Sequence, residues 1–190
     1  MSKLLEDLKS PYPEIKYCGA KMAIALSKEK PEKLYPNFNF FVKLLDGDNQ
    51  VMKWTAIRVI GNLAPADKRK EVDKLLPRLF GFLKGGKLIT ANNTIMSLTE
   101  IAKAKPEFRD DILAQMLKVE HYKYETEECR NIVIGKAISA LGEFDSGIAR
   151  KRKVINFLER QTHNTRNATK KKAAGLLRKL TRERNTLSKA

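Results

Sequence analysis

The chain has 190 residues and is 42% hydrophobic, enough for a sizeable core, yet it holds no run of about 18 apolar residues to span a membrane. Lys and Arg outnumber Asp and Glu by 38 to 22, a formal net charge of +16. The opening MSKLLEDLKS is too charged for a secretory signal and Cys18 and Cys129 suggest no disulfide framework, so a reduced, cytoplasmic setting is expected.

Residues 2–9 (SKLLEDLK) read as a short helix with Leu4, Leu5 and Leu8 on one side, broken by Ser10-Pro11-Tyr12-Pro13. A helix from Glu14 to Ser27 follows. Pro31 restarts the chain, proline being tolerated in a first helical turn. The helix it opens carries Leu34, Phe38, Phe41, Val42 and Leu45 to the turn Asp46-Gly47-Asp48-Asn49. From there a helix runs to Ala64, with KWTAIRVIGNLA as its body. Pro65 opens a helix over 66–84, where Val72, Leu75, Leu76, Leu79, Phe80 and Leu83 keep the helical period.

Gly85-Gly86 stops that helix, and residues 88–104 form the next. Pro106 begins a helix with Phe108, Ile112, Leu113, Met116 and Leu117. After the connector His121-Tyr122-Lys123-Tyr124, the acids Glu125, Glu127 and Glu128 suit the positive end of a helix. Two more helices are expected at about 148–160 and 165–184. No stretch keeps a strand's alternation, so the fold class is all-α.

The chain repeats itself. KWTAIRVIGNLA (Lys53–Ala64) is echoed at Lys16–Ser27, Ala91–Ala102, Asn131–Gly142 and Lys170–Thr181. The closing apolar residues Leu26, Leu63, Ile101, Leu141 and Leu180 fall 37, 38, 40 and 39 residues apart. Small or apolar residues recur six and seven places upstream: Gly19-Ala20, Ala56-Ile57, Thr94-Ile95, Ile134-Gly135 and Ala173-Ala174. A period near forty marks a stacked array of helix pairs, none of which can bury its apolar face alone.

Asp48 in a turn, Lys53 near an inner-helix start, then Ala56, Gly61 and a closing Leu63 follow the order of the HEAT pattern, and the whole arrangement resembles a HEAT-repeat (HEAT/armadillo-like) α-solenoid. Lys16 and Lys170 match the basic position, whereas Ala91 and Asn131 depart from it. The resemblance implies an α-α superhelix, a right-handed solenoid of about five HEAT-like helix pairs in a single domain over 1–190. The repeats fall at approximately 2–28, 31–64, 66–104, 106–142 and 147–184. It also implies a scaffold that binds a protein partner along a concave wall of inner helices. A HEAT-like architecture is used as well by alkylpurine DNA glycosylases, which place tryptophans and a catalytic aspartate in the concave groove. This chain has one tryptophan, Trp54, and Glu100 as the nearest carboxylate.

No residue pattern points to catalysis, a metal, a cofactor or a small-molecule substrate. His121 and His163 fall in connectors without Cys or paired carboxylates at ligand spacing, and no phosphate loop or nucleophile elbow occurs. On the inner helices, Tyr17 and Trp54 hold equivalent places and are expected side by side. Thr55, Arg58 and Asn62 are expected opposite the buried stripe, and the places equivalent to Arg58 are Lys21, Met96, Lys136 and Gly175. Tyr17, Lys21, Trp54, Arg58 and Lys136 are therefore the candidate concave-face binding residues.

The charge is lopsided. Residues 1–145 carry 24 basic against 20 acidic residues, and residues 146–190 carry 14 against 2. Arg150, Lys151, Arg152 and Lys153 are expected in the first turns of one helix, and Lys170, Lys171 and Lys172 near the start of the last. Cations there oppose the helix dipole, each at a cost of about 0.3–1 kcal/mol. Helix stability does not explain them, and an anionic partner does. With Arg166, Arg178, Lys179 and Arg182 they form the candidate anionic-partner surface. If the partner is nucleic acid, contact should be with the backbone, because Phe157 alone gives no stacking platform and no groove-reading motif is present. Beyond what stacking consumes, no exposed apolar stripe is expected, which argues against a membrane surface.

Overall fold

The computed structural model describes residues 2–144 and 151–187, with side chains as far as 182, and among these every regular element is helical. The chain divides into two units, Met1–Gly81 with Met96–Arg109, and Phe82–Ile95 with Asp110–Ala190.

The first unit opens with α1 (Ser2–Lys9) and α2 (Pro13–Glu29), the latter begun by a proline at its first position. Leu4 and Leu8 are the buried face of α1. Gly19, Ala20 and Ala23 are buried on α2, and a Cβ on Gly19 would stand 3.1 Å from Asp7 Cβ on α1. Small residues are what let these helices close on each other. The next pair is broken by proline: α3 (Pro31–Leu34), a 3-10 turn Tyr35–Asn37 around Pro36, then α4 (Phe38–Leu44). The single helix expected there is three pieces, because Pro36 has no N–H to continue the ladder.

The cap of helix α5 (Gln50–Asn62) falls one residue past the Asp48 of the HEAT pattern: Asn49 is the cap, its side chain accepting from the Met52 N–H at 3.1 Å. Ala56, Ile57, Val59, Ile60 and Leu63 are fully buried. Asn62 and Thr55, expected on the outer side, are also buried. Asn62 Nδ2 donates to Ser27 Oγ at 2.9 Å and Thr55 Oγ1 to the Val51 carbonyl at 2.8 Å, so hydrogen bonds admit both to the interior. Gly61 meets α7 (Leu88–Ala104) so closely that a Cβ would lie 2.6 Å from Ser97 Cα and 2.7 Å from its carbonyl oxygen.

Pro65 does not open a long helix. Residues Ala64–Ala66 form a 3-10 turn, Lys70 takes a positive φ of 56°, and α6 begins only at Glu71, running to Lys84. Asp67 sets that start. Its carboxylate accepts the backbone N–H groups of Glu71 at 2.8 Å and Val72 at 2.9 Å, and the Tyr35 hydroxyl at 2.6 Å. Lys105, just past the end of α7, reaches it at 2.9 Å and also pairs with Asp73. The Asp67 side chain is 0% exposed and that of Lys105 9%. Burial opposes the charge on Asp67, but the bonds from Tyr35, Lys105, Glu71 and Val72 outweigh it and hold its carboxyl below the usual value. Burial likewise opposes the charge on Lys105, and Asp73 and Asp67 more than restore it, so its amine titrates above the usual value.

Pro106 heads another 3-10 turn (Pro106–Phe108) at the end of the first unit, and α8 (Arg109–Leu117) carries the chain into the second. Glu120, in the 3-10 turn Lys118–His121, accepts both Arg160 Nη2 at 2.6 Å and Gln161 Nε2 at 2.8 Å. Tyr124 is buried and donates to the Leu83 carbonyl at 2.8 Å. Thr126 caps α9 (Glu127–Leu141), accepting from the Cys129 N–H at 3.0 Å, with Glu127 and Glu128 in the first turn as expected. Helices α10 (Arg152–Gln161) and α11 (Asn167–Leu187) complete the unit.

Asn131, a departure from the HEAT pattern, is buried at the α9–α11 contact. Its amide donates to Thr165 Oγ1 at 2.9 Å, its side-chain oxygen accepts from Asn164 at 3.0 Å, and its carbonyl accepts from Thr169 Oγ1 at 2.7 Å. A Cβ on Gly135 would stand 2.8 Å from Thr169 Oγ1. Ala91, the other departure, is fully buried. At both places a lysine would have to be buried, which is why neither is one.

Gly61→Ala has no space for its methyl group and should destabilise by about 1–3 kcal/mol in urea unfolding. Gly81→Ala, where a Cβ meets nothing within 4 Å, should stabilise by up to ~1 kcal/mol. Asp67→Asn leaves Lys105 half-compensated and should cost about 3–5 kcal/mol at neutral pH. The Asp67 contribution is present above the ordinary carboxyl pKa near ~3.9 and lost as pH falls through its depressed value. The Lys105 contribution is present below ~10.4 and lost as pH rises through its raised value. The stability gap between wild type and Asp67→Asn should therefore narrow below about pH 4. A gap that stays constant down to pH 2 would show that the carboxylate's charge is not what matters.

Candidate binding surface

The C-terminal cations divide into two groups. Lys151 pairs with Asp110, and Arg166 Nε donates to Glu128 Oε1 at 2.7 Å. Lys172 reaches across to α9, donating to Ser139 Oγ at 2.9 Å and the Gly135 carbonyl at 3.3 Å. These three join neighbouring helices of their own unit. Arg160, bound to the largely covered Glu120, is held above its ordinary pKa by that hydrogen bond and does the same.

The second group projects outward. Arg152 and Lys153 stand exposed in the first turn of α10, which contains no acidic residue, and Lys151, the N-cap residue, makes no side-chain hydrogen bond to that end. Lys170, Lys171, Arg178, Lys179 and Arg182 are exposed along α11, whose first turn also lacks acids. Arg178 Nε leans back on the Ala174 carbonyl of its own helix at 3.4 Å. Among the described residues, Gly175, Arg178, Lys179 and Arg182 line a shallow cleft of about 460 Å³. Arg150 lies outside the described residues.

The inner-helix candidates fall in both units. In the first, Tyr17 is 38% exposed and Lys21 exposed on α2, while Trp54 and Arg58 are half-buried on α5. Arg58 Nη1 lies 3.1 Å from Met96 Sδ and its Nε is buried without a partner. Burial lowers the pKa of Arg58, and the negative charge of Glu100 opposes that shift. Glu100 itself pairs with Lys103 at 3.1 Å. Lys136 is half-buried on α9 in the second unit.

One expectation fails on α2. Tyr12, Ile15 and Met22 are 64%, 44% and 55% exposed, and with Cys18 they follow helical spacing as an apolar stripe. The spacing of Ile15, Cys18 and Met22 carries a signal for it, masked because α2 buries small residues on its other side instead. His121 and His163 are exposed, and no group of three His, Cys, Asp or Glu side chains could hold a metal among the described residues. No described helix is long and apolar enough to cross a membrane.

No protein-family model matches the chain, and no curated protein sequence does. Among solved structures it is similar to an engineered protein whose crystal structure comes from the Northeast Structural Genomics Consortium. That likeness has 16% identity over 94% of this chain and 78% of the other, with a TM-score of 0.54. It is also similar to a designed armadillo repeat protein, at 16% identity over 94% of this chain and 98% of the other, with a TM-score of 0.46. The likeness to the engineered protein and the wholly helical described chain agree: the fold is an all-α solenoid of the HEAT/armadillo-like kind.

The two groups of cations should separate in stability measurements. Arg166→Ala and Lys151→Ala each break an exposed pair and should cost about 0.2–1 kcal/mol at low salt, fading as salt is added. Lys170→Ala and Lys171→Ala remove cations from the positive end of α11 and should be neutral or stabilising by a few tenths of a kcal/mol, roughly as for any such exposed site. Thermal denaturation of the four variants at two salt concentrations makes the comparison.

Proposed function

We propose that this chain is a non-catalytic helical-repeat scaffold whose last helix holds an anionic macromolecule. A protein partner is engaged by the inner-helix residues Tyr17, Lys21, Trp54 and Arg58, and Lys136 adds a cation on the second unit. The observation that carries the reading is the split among the C-terminal cations. Lys151, Arg166 and Lys172 are taken up by acceptors on other helices, whereas Arg152, Lys153, Lys170, Lys171 and Lys179 project with no acidic partner among the described residues. Concentrating like charges at helix starts costs stability, and an anion there would recover it. A face shaped only for solubility would mix its signs.

Non-specific nucleic acid is the alternative to an acidic protein as that macromolecule, and an alkylpurine glycosylase-type enzyme is the alternative outside the binding class. An excision enzyme needs a carboxylate poised over its substrate. The one carboxylate near Trp54 and Arg58 in sequence equivalence, Glu100, is half-buried and tied to Lys103, which favours a binding protein over a catalyst.

The test is retention on immobilised heparin. Replacing Lys170, Lys171 and Lys179 together with Glu should lower the eluting salt concentration sharply, while the same number of reversals at the exposed Lys28, Lys30 and Lys33 should lower it much less. Equal loss from both triple variants would mean that net charge alone, and no particular face, governs binding.

A further inference from the structure

Inner-helix glycines in this fold have a visible reason where helices touch: Gly61 faces Ser97 and Gly135 faces Thr169, with no room for a Cβ. Gly175 has none. It sits inside α11, and a Cβ built there meets nothing within 4 Å. Glycine is the least favourable residue after proline in a helix interior. Its surroundings are cationic: Lys171 lies one turn before it, Arg178 and Lys179 one turn after, Arg182 two turns after, and the last three share its cleft.

Resting on the reading of α11 as an anion-binding face, we propose that Gly175 is the crossing point for a nucleic-acid sugar–phosphate backbone. Lys171 lies to one side of the strand, and Arg178, Lys179 and Arg182 to the other. Lys171, Gly175, Arg178 and Arg182 lie at i, i+4, i+7 and i+11, a single face of roughly 16 Å at the helical rise. A missing side chain at the centre of that face lets a chain of phosphates lie against the helix itself, which is the use glycine has wherever a backbone must approach closely.

The class of partner follows from what the face offers. Arginine forks and lysine ammonium groups match phosphate oxygens, and contacts to phosphate need nothing more. Arginine clusters hold acidic side chains too, but those carboxylates stand off the peptide on flexible arms, whereas phosphates lie in the strand's own backbone, so a missing side chain at the centre of the face favours the nucleic acid. With only Gly175 and cations in the described lining of the cleft, the proposed site reads charge and not sequence.

The experiment uses the full chain, fluorescein-labelled duplexes of two unrelated sequences, and a poly-glutamate peptide of similar charge, with affinity followed by fluorescence anisotropy over a series of salt concentrations. Four neutralised phosphates give a slope of log Kobs against log salt of about −3.6 for duplex DNA, equal for both sequences. Gly175→Gln should raise the melting temperature yet weaken DNA binding at least tenfold. Gly175→Ala should do both in smaller measure. Gly81→Gln, at the other helix glycine with open space around it, should raise the melting temperature and leave affinity unchanged. Wild-type affinity in Gly175→Gln, with binding lost when Lys171 and Arg178 become Glu, would leave the anionic face standing and overturn the crossing. Tighter binding of poly-glutamate than of DNA at matched salt would overturn the nucleic-acid assignment. Failure of both polyanions to bind would overturn the anionic reading and this one with it.

Discussion

Helices can approach only as far as their smallest facing residues allow, and that constraint runs through both units. Gly19 against Asp7, Gly61 against Ser97 and Gly135 against Thr169 each remove the one atom that would hold two helices apart. Around such contacts the large residues Ile57, Ile60, Leu98 and Phe157 lose all exposure. A stacked helix pair has no sheet to organise it, so the interlock of small and large residues does that work. Several polar side chains enter with partners, Asn131 with Thr165 and Asn164, Asn62 with Ser27, Asp67 with Lys105, whereas Arg58 Nε and Ser97 Oγ are buried without one.

The Asp67 cluster adds a second kind of constraint. A buried carboxylate with one lysine partner would be costly, but this one also terminates two backbone N–H groups at the start of α6 and receives the Tyr35 hydroxyl. It thereby fixes where an outer helix begins, where the chain leaves α7, and how the Tyr35 turn sits. One side chain answers three orphaned needs, which is why replacing it by an apolar residue of similar size would not be equivalent.

Local pattern was readable where local pattern decides the structure. The bounds of α1 (Ser2–Lys9) and α7 (Leu88–Ala104) match the reading from apolar period and glycine stops, and Leu63, Ile101, Leu141 and Leu180 are buried as the repeated template requires. What escaped the reading depends on residues far apart in the chain. Asp67 looks like a loop acid until Lys105 is brought to it, and Asn131 looks like a lapse in the repeat until Thr165 and Thr169 arrive. For the candidate surface, composition located the excess charge but could not sort it. Lys170, Lys171 and Lys172 are consecutive, yet the turn of the helix aims only Lys172 at α9. The exposed stripe of Tyr12, Ile15 and Met22 was missed because apolar residues at helical spacing ordinarily signal burial.

The starts of α10 and α11 have a further consequence. Neither has an acid in its first turn, and α10 has no side-chain cap. Their positive ends are thus incomplete as isolated helices, and any anion resident there favours the folded form by mass action. The melting point of this protein belongs to its buffer as much as to its sequence: phosphate or sulfate and chloride at equal ionic strength describe different molecules.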